Sequence, residues 1–187
     1  MSGISVVTAA TVDPVSLAEA KAHLRATESE DDALIVGYLM AARQHVEDYT
    51  GRQLSLVTYD FQIDGELSGE IVLPRPPLVS VASVSYVDMS GATQTLSPSL
   101  YQVDTGALFG RIVPAYQATY PSVRSQPNAV TVRFQAGYSQ IPEPIRQAIL
   151  LLVSHFYDNR QPVNIGSAVS DLPFSVAALL SPYKVYL

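Results

Sequence analysis

The chain has 187 residues, of which 48% are apolar and 15% charged, a composition that supports a folded core and excludes a disordered chain. Seventeen acidic residues against eleven basic ones give a net charge of −6 without a basic cluster, so sequence-specific nucleic-acid binding is not expected. The absence of cysteine excludes disulfides, thiolate chemistry and Cys-based metal sites.

The sequence shows no membrane or secretion signal. Its longest uninterrupted apolar run, Ala148–Val153, is far shorter than the ~20 residues that cross a bilayer. No Lys or Arg precedes the first apolar residues, so the N-terminal stretch lacks the form of a signal peptide. We therefore expect a protein that is made and used in a cytoplasm, with no membrane partner.

Two helices are predicted in the first fifty residues. Ser16 and Glu19 have the spacing of a capping box, so the first helix is expected to begin at Ser16. A second helix is predicted from Ser29, inside the acidic patch Glu28–Asp32, because acidic side chains favour the positive end of a helix. Its end is predicted at Gly51, since glycine suits a left-handed cap. The apolar stripe of the second helix consists of Leu34, Ile35, Tyr38, Leu39, Ala42, Val46 and Tyr49.

Between residues 54 and 140 the hydrophobic period changes to alternation, which predicts β-strands. Residues 114–127 are predicted to form an exposed loop. We expect a small antiparallel sheet or barrel of about five to seven strands. The predicted strands are Leu54–Asp64, Ile71–Leu73, Val79–Asp88, Thr93–Leu96, Tyr101–Asp104, Arg111–Val113 and Ala129–Ala136.

Helical periodicity returns at Pro142 and is predicted to end near Asn159, with apolar residues on more than one face, as in a helix at the centre of a domain. Residues 161–173 are predicted as a loop, and Phe174–Leu180 as a short last helix. The expected fold class is α+β. Residues 1–53 and 141–187 would form a helical bundle, into which residues 54–140 are inserted as an antiparallel β domain.

The sequence contains no cluster that could run a reaction. The three histidines lie in predicted helices without metal-binding spacing, and a surface histidine is the better interpretation of His155 than a catalytic base. Asp31 and Asp32 are adjacent on a helix and point about 100° apart, so helix-end electrostatics explains them better than metal binding. Gly106–Gly110 lacks the Lys-Ser/Thr of a phosphate-binding loop. We therefore expect no catalytic, cofactor or metal site, and we expect that the protein is not an enzyme.

An ordered series of short motifs covers about residues 14–187. The motifs are Leu17–Arg25, Asp31–Ile35, Ala41–Arg43, Val46–Arg52, Val84–Asp88, Gly91, Tyr101–Asp104, Arg111-Ile112, Tyr120-Pro121, Val132–Tyr138, Ile141-Pro142, Ile145–Val153, Tyr157–Arg160 and Leu179–Lys184. In order and spacing they resemble the head–tail connector family of tailed bacteriophages and related gene transfer agents, also called adaptor or head-completion proteins. Tyr120 stands where a tryptophan is expected before the proline, and Lys184 where an arginine is commoner.

The resemblance implies a structural protein. Such proteins form a homo-oligomeric ring, usually of twelve copies, below the portal protein, and they join the capsid to stopper or tail proteins. DNA passes through the ring without sequence-specific binding. Assembly is expected in the host bacterial cytoplasm, and the final location is the neck of the virion. The alternative is a DNA-packaging accessory protein that binds DNA directly, and a small hydrolase using His155 or Asp32 ranks last.

The end of the chain is the candidate interface with the portal or a neighbouring copy. It is mostly apolar and aromatic, and aromatic residues are frequent in interface hot spots. The other interpretation is a tail that folds onto its own domain. The candidate residues are Pro182, Tyr183, Lys184, Val185, Tyr186 and Leu187.

Overall fold

The computed structural model describes residues 2–65, 67–159 and 174–185. Within these ranges the chain forms two compact units. The β unit consists of the residues up to Val12 together with Ser55–Ser139, and the helical unit consists of Asp13–Leu54 together with the described residues from Gln140 onward. Helices and antiparallel strands are both present, which confirms the mixed α+β class.

The helical unit contains α1 (Leu17–Leu24), α2 (Asp32–Thr50), α3 (Glu143–Asp158) and α4 (Phe174–Leu180). A 3-10 turn at Ser181–Tyr183 follows α4. The bounds of α3 and α4 agree with the sequence prediction. The predicted loop at 161–173 lies outside the described residues.

The two N-terminal helices begin for different local reasons. At α1 the predicted capping box is confirmed: the Glu19 N–H donates to Ser16 Oγ (3.2 Å), and the Ser16 N–H donates to the Glu19 carboxylate (2.8 Å). The predicted start of α2 at Ser29 is wrong. The first helical bond runs from the Ile35 N–H to the Asp31 carbonyl (2.9 Å), whereas the Ser29 carbonyl closes only a preceding turn.

The core of the helical unit forms where its helices meet. Helix α2 packs against α3, α3 packs against α4, and α1 contacts both α2 and α3. Buried residues of α3 lie on several of its sides, as its all-round apolar pattern predicted. Buried apolar residues of this unit include Ala20, Ile35, Leu39, Ala42, Val46, Ile145, Ala148, Ile149, Leu152, Val153, Val176 and Leu180.

The β unit contains eight strands among the described residues, all paired antiparallel. They are β1 (Ser2–Thr8), β2 (Val57–Ile63), β3 (Ile71–Val72), β4 (Leu78–Val87), β5 (Thr93–Thr95), β6 (Tyr101–Asp104), β7 (Arg111–Pro114) and β8 (Val130–Ala136). One sheet has the order β1-β2-β8-β4-β5, and the other has the order β3-β7-β6. The alternative of a closed barrel is wrong, because β1 and β5 remain the unpaired edges of an open sheet.

Strand β1 was not predicted. It pairs with β2 from Ser2 opposite Ile63 to Thr8 opposite Thr58, with an irregularity at Val7. Residues 2–12 therefore lie in the β unit and not with the helices. The division into a helical domain of residues 1–53 and 141–187 and an inserted β domain of residues 54–140 stays a prediction.

The core of the β unit lies on one face of the five-stranded sheet. Tyr59 of β2 stacks on Phe134 of β8, with ring centroids 5.6 Å apart. Alternate residues of β8 are buried, from Val130 to Ala136, as the alternation in the sequence predicted. In the described part of the chain, no helix has the length and hydropathy needed to span a membrane.

Candidate interface surfaces

The C-terminal candidate residues lie against the end of α2, as far as they are described. The last carbonyls of a helix have no partner within the helix, so a nearby donor stabilises them. Here the Val185 N–H donates to the Thr50 carbonyl (2.9 Å), and Arg52 Nε donates to the Tyr183 carbonyl (2.7 Å). The Lys184 ammonium lies 4.7 Å from the centroid of the Tyr49 ring.

These contacts hold the tail on its own helical unit from Tyr183 to Val185. The side chains of Tyr183, Lys184 and Val185 are half-buried, and Pro182 is exposed. Tyr186 and Leu187 lie outside the described residues. Tyr183–Val185 are therefore folded back onto their own helical unit. Contact of the C-terminal residues with the portal or a neighbouring copy stays a prediction.

The acidic patch Glu28–Asp32 divides into an engaged part and an exposed part. Asp31 accepts a hydrogen bond from the Tyr157 hydroxyl (2.5 Å), and Asp32 pairs with Lys21 (2.5 Å). Glu28 and Glu30 are exposed. The patch thus contributes to the packing of α2 within the helical unit and leaves negative charge on its surface.

Several of the described basic residues form ion pairs with acidic side chains. Arg111 bonds Asp104 (2.9 Å) and Glu70 (3.2 Å), which raises the pKa of its guanidinium. The Arg133 side chain donates to Asp60, and these hydrogen bonds lower the pKa of that carboxyl. Further ion pairs are Lys21–Asp32, Arg43–Asp13 and Arg146–Glu19. Such pairing reduces the positive potential that a DNA phosphate would meet, but direct DNA binding stays the alternative prediction.

The described residues do not assemble a reactive centre from the candidates of the sequence. His155 is exposed on α3, where its ring lies 3.4 Å from the Asn159 amide nitrogen. Asp32, the other candidate, is held by Lys21. No group of three or more acidic, histidine or cysteine side chains suited to a metal ion occurs within residues 2–65, 67–159 and 174–185.

Helix α2 also carries an exposed apolar face opposite its buried one. Met40 is 56% exposed and Val36 is 39% exposed. Gly37 lies between them, and a Cβ at this position would meet no atom within 4 Å. Glycine inside a helix costs roughly 0.5–1 kcal/mol relative to alanine. Because a Cβ at Gly37 would have open space around it, packing among the described residues does not account for the glycine. The small residues Ala33 and Ala41 extend this face.

The hairpin that joins β4 to β5 is ordered by one carboxylate. Asp88 accepts hydrogen bonds from the Ser90 hydroxyl (2.5 Å), the Gln94 amide (3.0 Å) and the Ala92 N–H (3.0 Å). These bonds lower the pKa of Asp88 to about 2, so the carboxylate remains ionised at neutral pH. The turn therefore holds the edge strand β5 in a fixed position on β4.

Comparison with protein families shows the family to which the chain belongs. A sequence model described as "Head completion protein" matches residues 15–166. The chain belongs to the head completion protein family. Comparison with curated protein sequences found no significant match.

Solved structures show the same fold for this head completion protein. A chain from the virion of a native gene transfer agent particle aligns with a TM-score of 0.77 and 24% identity, covering 98% of this chain and 96% of that one. A chain from the neck of an empty particle, computed with C6 symmetry, has a TM-score of 0.77 and 22% identity over 99% and 96%. A chain from the neck of a native particle, computed with C12 symmetry, has a TM-score of 0.75 and 22% identity over 99% and 96%. At these identities the likeness establishes the fold.

Proposed function

We propose that this head completion protein is a subunit of a connector ring in the neck of a tailed phage or gene transfer agent particle. The ring lies below the portal protein and joins the capsid to stopper or tail proteins. The observation that carries the proposal is the family match over residues 15–166. It is supported by the structural likeness to a neck chain from a particle computed with C12 symmetry, which covers 99% of this chain and 96% of that one. Twelve copies is the stoichiometry that this symmetry favours.

A ring subunit needs two different surfaces, because each copy contacts one neighbour on either side. Each of the two units offers exposed surface from which such contacts can be drawn. The N- and C-terminal helices act as a bundle that offers the apolar face of α2, where Met40 is 56% exposed. The β unit offers its open sheet edges.

Charge supports a role as a channel for DNA. The net charge is −6, and several arginines are already paired with carboxylates. A negative wall repels the phosphate backbone and so lets DNA pass without adhering. We therefore propose that the ring lines the DNA passage and makes no sequence-specific contact. Assembly takes place in the host bacterial cytoplasm, and the protein ends in the virion neck.

The C-terminal residues Pro182–Leu187 are the proposed contact with the portal or a neighbouring copy. The hydrogen bond from Val185 to the Thr50 carbonyl fixes where this segment leaves α2. Tyr186 and Leu187 follow directly and supply one aromatic and one apolar side chain, which are common at interface centres.

Deletion of the gene tests the main proposal. Negative-stain microscopy of the deletion strain should show heads and free tails that do not join, and the wild-type gene should restore joined particles. Normal joining of heads to tails without the protein would overturn the proposed function.

Two truncations separate the portal contact from folding. Removal of Tyr183–Leu187 also removes the hydrogen bonds that this segment makes with Thr50 and Arg52, whereas removal of Tyr186-Leu187 leaves them in place. We expect the longer deletion to abolish portal binding and the shorter one to weaken it with an unchanged unfolding midpoint. Phe174→Ala is the matched control, since it removes an aromatic side chain that is 90% exposed at the start of α4. Normal portal binding by both truncations would show that the tail is not the contact.

A further inference from the structure

The five-stranded sheet of the β unit has two open edges. Strand β1 forms one edge and β5 the other, and no described segment pairs with the outer side of either strand. Residues Gly3–Thr8 and Thr93–Thr95 are all exposed. An unpaired edge presents N–H and C=O groups that hydrogen-bond to another strand, so proteins usually protect such edges with charge, proline or a cover.

Strand β1 has none of these protections. Its sequence, Ser-Gly-Ile-Ser-Val-Val-Thr, contains no charged residue and no proline. Ile4 lies opposite Phe61, and Val6 lies opposite Tyr59, so both side chains extend the core face of the sheet. Tyr59 is only 6% exposed, yet Ile4 is 40% exposed and Val6 is 58% exposed. The core face therefore continues onto β1 without a cover.

Strand β5 offers a complementary edge. The Asp88 N–H donates to the Ala92 carbonyl (2.9 Å), and the Leu96 N–H donates to the Val84 carbonyl (2.8 Å). Because inward and outward groups alternate along an antiparallel strand, the N–H and C=O groups of Thr93 and Thr95 point outward. Strand β5 is also uncharged, so neither edge repels the other.

We propose that β1 of one copy adds to β5 of the neighbouring copy, so that successive copies are joined edge to edge. The inference rests on the proposed ring, which requires a contact between two different surfaces. Strand addition satisfies the backbone groups of both edges. It also places Ile4 and Val6 beside the neighbour's sheet, where their apolar side chains lose contact with water.

Disulfide crosslinking tests this contact directly, because the chain contains no cysteine of its own. Ser5 pairs with Asp60, and Thr95 pairs with Ser85, so both Ser5 and Thr95 lie on the face opposite the core. Within one chain these residues are separated by four strand spacings, or about 19 Å at ~4.8 Å each. A disulfide needs Cα atoms within about 7 Å, so the two cysteines of one copy cannot pair.

The full chain with both Ser5→Cys and Thr95→Cys should give a ladder of disulfide-linked multimers under mild oxidation. The oxidation should be repeated over a series of protein concentrations, up to the highest concentration at which the protein stays in solution. Light scattering should measure the size of the multimers at each concentration. Each single variant should give no ladder. Dimers from Ser5→Cys alone, with no ladder from the double variant, would show a two-fold β1 contact and overturn the proposal. Absence of multimers throughout the series would overturn it as well.

A charge on the edge gives a second measurement that does not depend on disulfides. Val6→Lys should raise the concentration of half-association by about tenfold or more, because strand pairing would bury an unpaired charge. Val72→Lys is the control, since its side chain is 49% exposed on another strand of the same unit. Both variants should unfold at the wild-type midpoint. Equal association of Val6→Lys and wild type would contradict the edge contact.

The two proposals fail separately. If heads join tails without the protein but the crosslinked ladder forms, the neck function is wrong and the edge contact stands. If the deletion blocks joining but no ladder forms, only the edge contact is wrong.

Discussion

Glu47 provides the sharpest test of how the end of α2 is held. Its side chain is only 5% exposed, and one carboxylate oxygen accepts hydrogen bonds from the Gln53 amide (2.8 Å) and from the Leu54 N–H (3.0 Å). Gln53 and Leu54 are themselves 6% and 1% exposed. The carboxylate therefore links the helix to the buried segment that follows it.

Replacement of Glu47 should destabilise the helical unit by an amount that follows from these bonds. Hydrogen bonds to a charged group contribute about 1.5–3 kcal/mol each, so Glu47→Ala should cost about 3 kcal/mol or more. Glu47→Gln keeps an acceptor oxygen and loses the charge, and it should cost about 1 kcal/mol. Asp48→Ala is the matched control, because it removes an exposed carboxylate from the same turn and should cost about 0.5 kcal/mol or less.

Urea unfolding, followed by helical circular dichroism, measures these differences. At a slope of about 2 kcal/mol/M, the Glu47→Ala midpoint should fall by about 1.5 M, and the Glu47→Gln midpoint by about 0.5 M. The order of the three variants decides the interpretation. If the free energy of unfolding of Glu47→Ala lies within about 0.5 kcal/mol of the wild-type value, the buried carboxylate does not hold Gln53 and Leu54 on the helix. The same conclusion follows if Asp48→Ala lowers the free energy of unfolding as much as Glu47→Ala does.

Three further predictions concern the helix cap, a tight turn and DNA. Ser16→Ala should cost about 1 kcal/mol at neutral pH. Hydrogen bonds from the Ser16 N–H and hydroxyl, with Arg146 nearby, lower the pKa of Glu19 below 4.5, so this stability is present above that pH and is lost as pH falls through the folded-state pKa. The difference between Ser16→Ala and wild type in urea unfolding should therefore shrink at acidic pH, and a constant difference would exclude the Glu19 coupling. Gly137→Ala should destabilise the β unit by about 3 kcal/mol or more, since a Cβ there would lie 2.1 Å from the Ser55 carbonyl oxygen at a φ of +122°. Gly69→Ala, with a φ of +63° and open space around the Cβ, should cost only about 1–2 kcal/mol, and equal costs would refute the steric argument. Filter binding across a salt series should detect no salt-dependent DNA binding at low micromolar protein, and such binding would favour the DNA-packaging alternative.

Local signals in the sequence determined several of the helix ends. The capping box at Ser16 and the glycine cap at Gly51 both act within four residues of a helix end, so they can be read without knowledge of the fold. The alternation from Val130 to Ala136 predicted β8 for the same reason. The motif order identified the family, which the match over residues 15–166 confirms.

Only the tertiary structure decided which distant segments meet. Strand β1 carries only a weak hydrophobic pattern, and its residues pair with residues of β2 that lie from Thr58 to Ile63, far along the chain. The tail shows the same effect, because Arg52 and the Tyr183 carbonyl are 131 residues apart. Such contacts depend on backbone groups, which every residue possesses, so residue types alone do not specify them. The open sheet edges and the fixed course of the tail, on which the assembly proposals rest, follow from the fold.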